Sequence, residues 1–196
     1  ETYRPLERNA ARDLWSLPHG KNIVLFGALH ATADVNKGYD LLVSSLKHVQ
    51  SSVMLCVFGA SHGPLTKTSG RDVRYLGAIR DDVALRALYS AADVTVVPSR
   101  IESFGLTALE SLACGTPVVG FNATGTMDIV LHKDNGYLAE PYEPVDLAFG
   151  IDWVLDNDAR RRQLGIAARA QAERQFSYPV VGARYRDLYR LVVQGT

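Results

Sequence analysis

The stretch DVTVVPSRIESFGLTALESLACGTPVVG, residues 93–120, reads as strand, loop, helix and strand in that order. VTVVP (94–98) and PVVGF (117–121) are short, β-branched and almost continuously apolar, as parallel strands covered on both faces are. FGLTALESLAC (104–114) between them has the period of a helix. The same alternation extends outward in both directions. NIVLFGA (22–28), SVMLCVFG (52–59), VRYLG (73–77) and a weaker NGYLA (135–139) read as further strands. KGYDLLVSSLKHV (37–49), DDVALRALYSAA (81–92) and TMDIVLH (126–132) read as the helices between them, with Asp81 and Asp82 at a helix start where the dipole favours acids. Three more helical segments follow at 144–156, 158–176 and 179–193, and the charged run from Asp158 to Arg174 reads as a solvated helix face. The pattern predicts an α/β fold: a doubly wound parallel sheet of about six strands with extra C-terminal helices.

Bulk properties narrow the function. A chain of 196 residues suits one domain with a sizeable core. Its 21 basic and 21 acidic residues balance, which argues against a nucleic-acid or anionic-membrane partner held mainly by charge. Cys56 and Cys114 read as small buried thiols, which fits a reducing, cytoplasmic setting. The five histidines lack the spacing of a zinc site, so no metal is expected. No apolar run reaches the roughly 18 residues that a membrane-spanning helix needs. The opening ETYRP reads like the tail of a linker, so a piece of something longer is expected.

In a doubly wound sheet, ligands sit beyond the carboxyl ends of the strands where strand order reverses. The loops to search are 27–38, 59–63, 77–81, 98–105 and 121–128. Glu102 and Glu110 lie eight residues apart; on one helix they would stand about 80° apart and about 12 Å along the axis. That suits neither one metal nor an acid and base astride one bond, but it suits two handles on one long ligand. A helix beginning near Phe104 would offer free N–H groups to an anion, and Gly105 would let a ligand approach the backbone; alternatively Glu102 and Ser103 merely cap that helix. Lys37, beside Gly38, either reaches a phosphate or is an ordinary solvated lysine. FNATGTMD (121–128) is a turn, and LGAIRDD (76–82) could present Ile79 or Arg80 to a planar base. Together these loops suit a nucleotide carrying a polyhydroxylated group, whose diphosphate takes amides and a lysine and whose hydroxyls take carboxylates.

The segment ADVTVVPSRIESFGLTALESLACGTPVVG (92–120) closely resembles the donor-binding region of the family 4 (group 1) retaining glycosyltransferases. Those enzymes have the GT-B fold, which pairs two Rossmann-like domains. Glu102 and Glu110 match the family's Glu-x7-Glu, and PS, FG and A-x-G-x-P-V-V flank them as the family has them. The resemblance extends from YRP (3–5), through KG (37–38) and NG (135–136), to the last helix.

It implies that Glu110 binds the ribose of a nucleotide-sugar donor. Glu102, as the catalytic residue, would hold the donor sugar and diphosphate together with Ser103 and the amides of Phe104, Gly105 and Leu106. Lys37 would take the diphosphate, Ile79 and Arg80 would flank the base, and neither cofactor nor metal is needed. Two departures stand out. Where the family has an arginine after the first-strand Gly27, this chain has Ala28 inside a longer loop, ALHATADVN (28–36). Either His30, Thr32 or Asn36 substitutes, or one phosphate contact is missing. The family's Gly-Gly-x-x-Glu turn appears as Ala-Thr-Gly-Thr-Met-Asp (123–128). The longer loop resembles the subgroup that builds bacterial exopolysaccharides and lipopolysaccharides.

By that resemblance the chain is expected to be the donor-binding domain (1–178), with a final helix (179–196) crossing towards a missing N-terminal acceptor domain. The expected enzyme is a hexosyltransferase using a UDP-sugar to build a polysaccharide, glycolipid or other glycoconjugate. The fragment is expected to be monomeric and inactive in transfer, with any membrane contact made through the missing half. The competing readings are half of a sugar-nucleotide 2-epimerase and a nucleotide-sugar-binding module with no chemistry. A dehydrogenase is disfavoured because FGALHA lacks G-x-G-x-x-G.

Overall fold

The structure is a computed structural model that describes residues 2–28, 31–63 and 72–194. Helix α1 (Arg8–Leu14) precedes the sheet, capped by Glu7, whose carboxylate accepts from the amides of Asn9 and Ala10. It is not among the segments predicted above. Next come β1 (Asn22–Gly27), a 3-10 turn (Val35–Lys37), α2 (Tyr39–Leu46), β2 (Val53–Phe58) and β3 (Asp72–Tyr75). The alternation continues with α3 (Asp82–Ala91), β4 (Val94–Val97), α4 (Leu106–Ala113), β5 (Val118–Phe121), α5 (Thr126–Ile129) and β6 (Gly136–Ala139). Helices α6 (Pro144–Leu155), α7 (Asp158–Phe176) and α8 (Tyr178–Gln194) complete it.

The six strands form one sheet in the order β3-β2-β1-β4-β5-β6, parallel at every pairing. Leu25 of β1 sits in register with Cys56 on one side and Thr95 on the other, so β1 is central. Strand order reverses there, between β1 and β4, which makes that boundary the switch point of the doubly wound, Rossmann-like sheet.

Burial on both faces explains the unbroken apolar strands. Val24 and Phe26 pack with Leu42 of α2 and Leu147 and Ile151 of α6. Their neighbours Ile23 and Leu25 point the other way, onto Ala11 of α1 and Leu88 and Tyr89 of α3. A third cluster joins Val97 and Val118 to Ala108 and Leu112 of α4 and Ala168 of α7. Each such leucine or isoleucine contributes about 1.5–3 kcal/mol by leaving water.

Two expectations are corrected. Helix α4 starts at Leu106, not near Phe104, because Gly105 takes a left-handed conformation (φ 95°) that ends the loop. Glu102 therefore lies in a loop and does not share a helix with Glu110. Helix α7 is not a solvated face only. It buries Arg161, Leu164, Gly165, Ala168, Gln171 and Ala172, a stripe at helical spacing. The stripe escapes a hydrophobicity reading because half of it is glycine, arginine or glutamine. Gln171 bonds Asn135 and donates to the Ile129 carbonyl, so its side-chain amide is satisfied where it is buried.

Asp81 caps α3 as expected, accepting from the Val83 amide. Cys56 and Cys114 are buried and free, as expected. Helix α8 buries no residue. Among the described residues no helix is long and apolar enough to cross a membrane.

Candidate functional site

Beyond the carboxyl ends of β1 and β4 the chain builds a braced crevice. The 3-10 turn is capped by Asp34, which accepts from the Asn36 amide, and it delivers Lys37 to the mouth. Gly38 follows at φ 67°, and a Cβ there would collide with the Pro98 carbonyl. The Lys-Gly pair thus lets the turn lie directly against the end of β4. Arg100 ties the same two loops together. Its amide donates to the Asn36 carbonyl at 2.8 Å, its guanidinium donates to the Val35 carbonyl at 2.9 Å, and it grips Asp40 with both nitrogens at 2.8 and 2.7 Å. The paired arginine holds the Asp40 carboxyl below the usual carboxylate range. Arg100 was not among the predicted site residues, and nothing in its local pattern distinguishes it from any loop arginine.

Lys37 and Glu102 meet in this crevice, Nζ to Oε2 at 3.0 Å, with the Ser99 hydroxyl donating to the same oxygen at 3.3 Å. The Glu102 backbone is held from the other side by the β5–α5 turn. Its amide donates to Thr124 Oγ1 at 3.1 Å, and its carbonyl accepts from the Gly125 amide at 2.8 Å. A Cβ on Gly125 would stand 2.7 Å from the Phe104 nitrogen, so this turn needs glycine to lie against the Glu102 loop. The departure Ala-Thr-Gly-Thr-Met-Asp is therefore a support for the loop carrying Glu102.

Neither Glu102 nor Ser103 caps α4: no side chain bonds its first turn, and Gly105 is its N-cap. The capping alternative fails, leaving the amide end of an eight-residue helix facing the crevice without a side-chain partner. Ser103, Phe104 and Leu106 are exposed, and the Phe104 ring packs edge-on to Phe176 of α7 at 5.7 Å.

Glu110 belongs to a different set of partners. The Tyr89 hydroxyl donates to its Oε2 at 2.9 Å, while Tyr3 donates to neighbouring Asp82 at 3.0 Å. Burial pushes the Glu110 carboxyl above its ordinary range, opposed by the tyrosine bond and reinforced by Asp82. Burial and then the Glu110 charge push Tyr89 upward, so its hydroxyl stays a donor. Glu110 opens on a cavity of about 330 Å³ lined by Tyr3, Leu106, Leu109, Arg169, Phe176 and Tyr178. Leu106 connects that cavity to the α4 start, whereas Lys37 and Glu102 lie outside it.

The other predicted residues divide. Ile79 is half-buried on the α3 side of the core, and Arg80 is exposed beside it. Thr32 donates to the His62 carbonyl at 3.3 Å, Asn36 gives its carbonyl to Arg100, and Ala28 is half-buried. Gly27 has a packing reason to be glycine, since a Cβ would strike the Phe58 ring. His30 lies outside the described residues. Among the described residues, no three His, Cys, Asp or Glu side chains gather as a metal-holding group.

Comparison with known proteins shows the family and the fold. The model of the family "Glycosyl transferases group 1" matches residues 8–171. The D-inositol 3-phosphate glycosyltransferase of Xylanimonas cellulosilytica is 36% identical over 194 residues, covering 93% of this chain and 45% of that protein. Sucrose-phosphate synthase of Thermosynechococcus elongatus superposes with a TM-score of 0.84 at 29% identity, over 100% of this chain and 51% of that one. HepE of Anabaena in complex with UDP-glucose gives 0.77 at 22% identity, over 98% and 54%. The C-terminal domain of the group 1 protein LpcC of Francisella tularensis gives 0.73 at 22%, over 90% of this chain and 97% of that one. The chain thus spans about half the length of the curated relative, and nearly all of a solved C-terminal domain.

Proposed function

Because the chain belongs to the group 1 glycosyl transferases, and corresponds to the C-terminal half of such GT-B enzymes, we propose that it is the half that holds a nucleotide-sugar donor for a retaining transfer. The observation that carries this reading is the Lys37–Glu102 pair at the switch point, set beside the uncapped start of α4. A diphosphate bound there would exchange the Glu102 carboxylate for its own charge at Lys37 and accept from the α4 amides. Glu102, released from Lys37, would then be free to accept from sugar hydroxyls, and Glu110 would accept from the ribose. Ile79 and Arg80 would flank the base.

UDP is the nucleotide of choice, because a fold neighbour is solved with UDP-glucose and the long first loop resembles the polysaccharide-building subgroup. Transfer itself needs an acceptor held in near-attack geometry with water excluded, which in this family a second domain supplies on closure. The 196-residue chain is therefore proposed to bind donor and to transfer almost nothing alone. Calorimetry with UDP, GDP, ADP and UDP-glucose tests the reading. Saturable binding of UDP and UDP-glucose, weakened in Lys37→Ala, is expected; no binding by any of the four would overturn it.

A further inference from the structure

At the opposite end of the strands, by the amino ends of β4 and β5, a groove of about 590 Å³ runs between the N-terminal segment and α7. Arg8, Ser90, Gly115, Thr116, Arg161 and Arg162 line it. Asp93, 2% exposed, is the hub behind it. Arg8 reaches Asp93 at 3.1 Å, Arg12 at 2.6 Å and Arg161 at 3.5 Å, so one buried carboxylate serves three guanidiniums. Asp158, on the exposed rim, takes a second Arg161 nitrogen at 2.7 Å.

Two observations show that this cluster is short of anion. Arg161 is more than nine-tenths buried, yet its Nε has no hydrogen-bond partner. Such groups are rare, because an unpaired buried donor forfeits its hydration for nothing. Arg162, one residue on and exposed at the rim, forms no ion pair among the described residues. Positive charge crowds here. Arg8 is pushed below its ordinary range first by burial, then by Arg161 and Arg12 against the opposing pull of Asp93.

We propose that this groove is a second ligand site, distinct from the donor crevice, which takes the phosphate group of a small molecule between Arg8, Arg161 and Arg162. A guanidinium cluster with planar, always-charged forks suits a phosphate oxyanion better than a lysine pair would. The groove volume falls in the range of small-molecule sites, so a phosphate carrying a compact organic group fits the space. Gly165 contributes by its absence of side chain: a Cβ there would strike the Gly115 carbonyl, so α7 lies close enough to wall the groove.

The test is an NMR titration with inorganic phosphate at fixed ionic strength, on the chain itself and on its Arg162→Ala and Lys37→Ala variants. Arg162 is exposed, so its replacement leaves the core untouched. Saturable shifts are expected at the amides of Gly115, Thr116 and Gly165. They should be roughly ten-fold weaker in Arg162→Ala, the effect of losing one charge-assisted bond, and unchanged in Lys37→Ala. The proposal is overturned if these amides show no saturable shift, if chloride reproduces it, or if Arg162→Ala matches the parent. Loss of the shifts in Lys37→Ala would trace them to the donor crevice and would equally overturn it.

Discussion

Lys37 Nζ stands 3.0 Å from Glu102 Oε2, joining residues 65 positions apart across the β1/β4 boundary. Each is partly buried, with side-chain exposures of 26% and 16%, so the pair is neither a surface ornament nor a sealed core bridge. Its worth to stability is small, because a partly solvated pair gains little beyond its desolvation cost. Its geometry places opposite charges at the mouth of the one crevice that the topology favours for a ligand.

Lys37→Ala is expected to weaken UDP binding by about 1.5–3 kcal/mol while changing uridine binding far less, since in the proposed reading the lysine meets only the diphosphate. Calorimetry of both ligands decides it; equal losses would remove Lys37 from the diphosphate.

Glu102→Gln and Glu110→Gln should separate. The first is expected to spare UDP and weaken UDP-glucose, and the second to weaken UDP itself, because the two carboxylates sit in different partner sets. Thr124→Val should behave as a milder Glu102→Gln, since it releases only the amide that positions that loop. If Glu102→Gln and Glu110→Gln lose both ligands alike, the two-handle arrangement is wrong.

The raised carboxyl of Glu110 makes a pH prediction. With its folded value above the unfolded one, the folded protein holds the proton more tightly. Stability therefore falls as pH rises through the window between those values and is recovered on acidification. Glu110→Gln should remove that slope and leave the protein at neutral pH as stable as the parent or more so. Urea melts at pH 4.5, 6 and 7.5 would show it, and an unchanged slope in the variant would count against the desolvated carboxyl.

Gly38→Ala is expected to destabilise by roughly 2 kcal/mol or more, combining left-handed strain with collision against the Pro98 carbonyl. Gly20→Ala is the control, having nothing within 4 Å of its Cβ position. Similar melting of the two variants would contradict the close approach of the 3-10 turn to β4.

Asp93→Asn should cost about 3–5 kcal/mol, as breaking a buried ion cluster from one side does, by stranding Arg12 and Arg161. Chemical denaturation measures this directly. A loss below about 1 kcal/mol would mean that water already reaches the cluster.

The strands themselves and the loops to search were legible before the structure because their signals are local, whereas the strand order came from the structure. β-branched runs, helical period and the Glu-x7-Glu spacing each occupy a few consecutive residues, and every predicted strand is found within two residues of its expected limits. Helix α1 was missed because seven residues give too little periodicity, and its definition comes from the Glu7 cap and from packing on α3. The charged run of α7 misled because the contacts that bury Arg161 and Gln171 lie far away in the chain.

By itself the sequence determined that this chain is a doubly wound α/β sheet carrying two spaced carboxylates, since those features follow from side chains and their immediate neighbours. Tertiary structure alone decided which groups meet. Gly105 ends the loop before α4, so the two glutamates part company; Gly38 and Gly125 press loops together, so Lys37 finds Glu102. Asp93 gathers three arginines from α1 and α7 only because the sheet order brings the start of β4 beneath them. Pairing across such distances depends on the closure of the whole sheet, and no window of neighbouring residues contains that information.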